Sequence, residues 1–138
     1  VPQWYWGVIH FERGAVLTYF NPRLFGLNLN KEVSFFDGEE LHRFVDISVG
    51  RTGESETPTF KIEARDGEKK LSFHVDAYAH SSWTFKKKAL GILPNTLVYN
   101  EYPATVSNFR FVDGKNVITG DDLGASVGNA EHTTGFLL

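Results

Sequence analysis

Between Leu71 and His80 the chain alternates without a slip: Leu71, Phe73, Val75, Ala77 and Ala79 interleave with Ser72, His74, Asp76, Tyr78 and His80. A period of two sends successive side chains to opposite faces, so this run predicts a strand with one buried and one polar face. Phe60, Ile62 and Ala64, set against Lys61 and Glu63, repeat the pattern. Residues 4–12 differ. Trp4, Trp6 and Val8 share one parity and Tyr5, Ile9 and Phe11 the other, which predicts a strand covered on both sides. Further strands are expected at 15–20, 32–36, 43–49, 96–102, 104–112 and 125–138.

The punctuation agrees with strands. Asp37-Gly38, Asp66-Gly67 and Asp113-Gly114 each separate two apolar stretches, and Asp-Gly supplies the positive φ angles of a tight hairpin turn. Arg13-Gly14 and residues 91–95 read as turns and the polar residues 50–57 as a loop, while Pro22 and Pro103 are expected to stop sheet pairing. No window carries a sustained helical stripe. The fold class that follows is all-β: an antiparallel up-and-down barrel of about eight or nine strands, with a jelly-roll sandwich as the alternative.

Composition narrows the chemistry. The 138 residues suffice for one domain with its own core. Net charge is −3 and the pI near 5.9, so nucleic acid is not an expected partner. The one basic run, Lys86-Lys87-Lys88, reads as solvated. With no cysteine, disulfides, thiolate catalysis and Cys-bound zinc are excluded, and a cytoplasmic setting is favoured. No apolar run approaches the roughly 20 residues that span a bilayer. The start at Val1 and the absence of methionine point to a mature form, an excised domain or a trimmed chain.

Four patches, in this order, resemble one lobe of the lipocalin-like AttH/carotenoid 1,2-hydratase superfamily. They are Trp4-Tyr5-Trp6-Gly7 with Gly14-Ala15-Val16-Leu17-Thr18-Tyr19; Thr57-Pro58-Thr59-Phe60-Lys61-Ile62; residues 99–107 (YNEYPATVS); and residues 124–135, with Glu131 ahead of Thr133-Thr134-Gly135. The resemblance implies a single barrel over residues 1–138, either self-associating or the C-terminal lobe of a two-barrel protein. It also implies an apolar, isoprenoid or lipid-like ligand. It carries no matched set of catalytic residues and implies no cofactor.

Candidate residues follow from residue type and strand parity. Trp4, Trp6, Phe20, Phe73, Trp83, Phe85, Tyr99 and Asn108 could line a ligand cavity, and rings of this kind also fill barrel cores. Glu101 and Glu131 are the candidates for a general acid in a hydratase or cyclase. If Leu97 and Val127 face inward, both carboxylates enter an apolar interior, where desolvation favours the protonated form. The opposite register turns Val98, Asn100 and Tyr102 inward and both carboxylates out, since a slip of one residue flips every side chain. His74, Asp76 and His80 share a strand face and could hold an ion, although alternation makes that face the solvated one, so no metal is expected. The leading expectation is a binding or scaffold barrel. Its doubly apolar first strand calls for a second barrel, as a homodimer or a tandem lobe.

Overall fold

A computed structural model describes residues 3–24, 27, 28, 30–53, 56–89 and 93–137. In chain order the elements are β1 (Gln3–Phe11), β2 (Val16–Leu24), β3 (Leu27–Asn28), β4 (Glu32–Phe36), β5 (Leu41–Phe44) and β6 (Asp46–Gly53). There follow β7 (Pro58–Asp66), β8 (Lys69–Ala77), β9 (Ser81–Ala89), β10 (Leu93–Asp113), β11 (Asn116–Thr119), α1 (Gly120–Leu123) and β12 (Ser126–Leu137). No helix among these residues is long and apolar enough to cross a membrane.

All pairings are antiparallel, and the sheet runs β5-β4-β2-β1-β12-β10-β8-β7-β6. These nine strands form a nearly closed barrel. Neighbours in the chain are mostly neighbours in the sheet, as an up-and-down barrel requires and a jelly roll does not. Across the seam between the end strands, Lys31 Nζ donates to the Ile47 carbonyl at 3.1 Å. All three Asp-Gly turns form, with Gly38, Gly67 and Gly114 at φ 108°, 60° and 59°.

Four expectations about element limits are corrected. The stretch 43–49 is two strands, β5 and β6, broken at Val45, and β6 continues through part of the expected loop to Gly53. Residues 81–89 form the unforeseen strand β9. The expected turn at 91–95 falls partly outside the described residues, and Leu93 onward already belongs to β10. Neither Pro22 nor Pro103 ends a strand. On one edge of β10, β9 pairs only as far as Glu101 and β8 begins at Ala104. Pro103 therefore sits in the gap between two partners, where no ladder bond is lost. Pro22 lies in a similar gap, between the last β4 partner at Phe20 and the first β3 partner at Arg23.

The interior is filled by side chains. Tyr19, Tyr102, Phe35, Phe44, Phe60 and Phe73 head the fully buried set. Phe35 meets Phe109 and Phe111 with ring centroids 5.0 and 5.4 Å apart, and Phe60 meets Tyr5 and Tyr102 at 5.9 and 5.6 Å. Each buried ring contributes roughly 2–3 kcal/mol of transfer free energy. Leu123 of α1 closes one end, and Arg13 Nη1 ties the β1–β2 turn to it by donating to the Asp121 and Asp122 carbonyls at 2.7 and 2.9 Å.

Close approach, not turning, explains two glycines. A Cβ on Gly128 would lie 2.2 Å from the Val8 carbonyl oxygen. One on Gly7 would lie 2.3 Å from Tyr19 Cε1, and Tyr19 is fully buried with no room to swing away. Gly7→Ala should therefore lower unfolding free energy by about 2 kcal/mol or more, the cost of overpacking a tight core. Gly50→Ala, where nothing lies within 4 Å, should be neutral or slightly stabilising. Urea melts of both chains check the contrast.

Candidate functional site on the outer face of the sheet

The barrel core takes Tyr5, Ile9 and Phe11 from β1, so Trp4, Trp6 and Val8 turn outward and remain half-buried. Register carries this parity across the sheet. One row on the outer face reads Pro22, Trp4, Thr133, Tyr99, Trp83 across β2, β1, β12, β10 and β9. The next row reads Phe20, Trp6, Glu131, Glu101, Ser81. Five of these ten residues are aromatic. Trp83 is 65% exposed and Phe20 42%.

Within these rows the rings pack on one another. Tyr99 stands edge-on to Trp4 with centroids 5.8 Å apart and lies nearly parallel to Trp83 at 5.9 Å. Phe85 stands edge-on to the far side of Trp83 at 6.1 Å. Thr133, although outward, is fully shielded. Glu131 is held on the floor: Trp4 Nε1 and Thr133 Oγ1 both donate to its Oε1, at 3.0 and 3.1 Å. Ser81, Trp83, Tyr99, Glu101 and Glu131 line an open groove of about 450 Å³.

Most of the expected site residues thus meet, but outside the barrel. Glu101 is exposed and Glu131 half-buried on the outer face, so neither carboxylate enters the apolar interior that the general-acid role requires. Tyr102 and Ala104 hold the inward positions instead. Phe73 is core. Asn108 leaves the group because of a β-bulge: at φ 51° it sits in the register shift between Ser107 and Arg110. Val106 before the bulge and Phe109 after it both pack on the core, and the extra residue is pushed out. His74, Asp76 and His80 do not converge. His74 Nδ1 meets Asn108 at 3.2 Å, Asp76 accepts from Thr59 at 3.0 Å, and His80 meets Asn100 at 2.9 Å.

No family model, curated protein or solved structure matches this chain.

Two further clusters went unseen in the sequence, one gathered on the β4–β5 turn and the other set by the register of β1 on β12. At one edge of the barrel the carboxylates of Asp37 and Glu40 and the imidazole of His42 come within 4.8 Å of one another. His42 is buried, with Nε2 on Asp37 Oδ2 at 2.9 Å and Nδ1 facing Lys69 Nζ at 3.4 Å. Burial opposes ionisation of Asp37, but hydrogen bonds from the Glu40 amide, His42 and the Glu39 amide prevail and hold its carboxyl below the usual range. Both imidazole nitrogens are thus engaged, and the trio reads as a structural clasp on the hairpin turn.

The second cluster lies inside. His132, 7% exposed, stacks flat on Tyr5 with centroids 4.4 Å apart. Gln3 Nε2 lies 2.7 Å from its Nε2. An amide donor there assigns the ring proton to Nδ1, which has no partner among the described residues. Burial, followed by the nearby Arg51 and Arg23 guanidiniums, pushes His132 down to about 4. An unfolded histidine titrates near 6.5, so the unfolded chain takes up this proton first. Stability contributed by neutral His132 should be intact above about pH 6.5 and fall, by on the order of 2 kcal/mol, as pH drops to about 4. Thermal melts across that window should show the decline. His132→Phe, which keeps the stack, should flatten it; an unchanged decline would place the loss elsewhere.

Proposed function

We propose that this chain is a binding barrel that works from the outside of its sheet, packing its aromatic face against a second barrel. The observation that supports this reading is the placement of Trp4, Trp6 and Phe20 on the outward side of β1 and β2 while the interior is solid with other rings. Water contact with large aromatic side chains is costly, and a contiguous outward group marks a contact surface. The core needs none of these rings. Trp6 and Phe20 face each other in the β1–β2 register, with Thr18 and Val8 as the next pair, and Glu131 and Glu32 border this patch on either side.

The partner is a second copy of the chain or the neighbouring lobe that a two-barrel arrangement would supply. Both offer another convex β-surface, and the first strand would lie at the centre of the contact. An apolar ligand, on this reading, is held between two outer faces and not within the barrel.

Light scattering of the chain at tens of micromolar should give a dimer or larger species. Trp6→Asp should shift it toward monomer without lowering the melting temperature by more than a few degrees, because the side chain takes no part in the core. A parent chain that stays monomeric at every concentration would overturn the proposal.

A further inference from the structure

Glu101 and Glu131 are direct partners in the β10–β12 register and point to the same side of the sheet. Like charges placed directly opposite on paired strands repel and destabilise the pair. Among the described residues no cation answers them. The ion pairs there are His42 with Asp37 and Arg43 with Glu32, both on other strands, and the groove lining contains no basic side chain. Glu131 is also fixed in place. Both of its donors take Oε1, and Oε2 accepts no hydrogen bond from the described residues.

The walls are aromatic. Tyr99 lies between Trp4 and Trp83, within 6 Å of each by centroid, and the π-faces of tryptophan and tyrosine attract a cation that keeps little of its water. A small inorganic ion fits badly here, since magnesium or calcium takes six or more oxygens and the groove offers two carboxylates among rings. An ammonium carrying alkyl groups suits both halves: its charge answers the carboxylates and its apolar skin covers the rings. The groove, at about 450 Å³, is within the range of small-molecule sites.

We infer that this groove binds a small organic cation of the alkylated-ammonium class, with Glu131 and Glu101 as counter-charges, Trp83 and Tyr99 as the aromatic walls, and Trp4 behind them, edge-on to Tyr99 and donating to Glu131. The site goes beyond the packing role. It lies on the β9–β10–β12 part of the face, beside the Trp6–Phe20 patch, and is complete within one chain.

Titrating tetramethylammonium chloride into the full chain, with tryptophan fluorescence and amide shifts as readouts, tests the assignment. The highly exposed Trp83 should report a saturable change that neither sodium chloride at matched ionic strength nor the uncharged tert-butanol reproduces. Glu131→Gln and Trp83→Ala should each weaken binding about tenfold, and Glu101→Gln, altering an exposed side chain, gives a second test of charge with no risk to the fold. Trp6→Asp should leave this binding in place whether or not the parent chain associates, so the two proposals stand or fall separately. Equal response to tert-butanol, the same signal with sodium chloride, or affinity unchanged in both glutamine variants would overturn the inference.

Discussion

The outward residues of β1, β2, β12, β9 and the first half of β10 owe their positions to the parity that the core imposes on β1. Once Tyr5, Ile9 and Phe11 are committed inward, the period of two leaves Trp4 and Trp6 no choice, and antiparallel registers transmit that choice to β2, β12, β10 and β9. The commitment is enforced sterically on one side only. Gly7 gives up its side chain so that Tyr19 can lie across it, and Gly128 lets β12 run close to Val8 and Ile9. A larger residue at either position would separate strands that the core needs together.

Among the described residues, buried side chains occupy the interior, the usual place for a barrel ligand. The rings that could have lined a cavity divide between two faces: Phe35, Phe60 and Phe73 inside, and all three tryptophans outside with Phe20, Phe85 and Tyr99. Tryptophan is amphipathic, with an apolar body and one N–H donor, and Trp4 uses that donor to fix Glu131 on the outer face. The same ring therefore supplies surface for a contact and polar anchorage for a carboxylate. On the proposal made above, that combination suits the outer face to recognition, whereas the interior serves stability.

The long strand β10 organises the two ends of the molecule differently. Its first half lies between β9 and β12 and builds the groove. Its second half joins β8 and β11 and supplies Phe109 and Phe111 to the core. Pro103 marks the change of partner, and the bulge at Asn108 restores inward parity after it. Were β10 to run through Asn108 as regular strand, without the bulge, Phe109 and Phe111 would face water.

The sequence alone determined the strand-rich class, the three Asp-Gly turns and the doubly apolar character of β1, because each rests on spacing within one short stretch. It also picked out Trp4, Trp83, Tyr99, Glu101 and Glu131 as residues of interest from their type. It could not place them. Whether Glu101 and Glu131 face inward depends on a parity fixed by Tyr102, Ala104 and Ala130 packing in the core, and a one-residue choice of that kind has no local signature. The bulge at Asn108, the continuity of β10 through Pro103 and the strand at Ser81–Ala89 were hidden for the same reason. Each is decided by which strand lies alongside, and only the closed sheet supplies that neighbour.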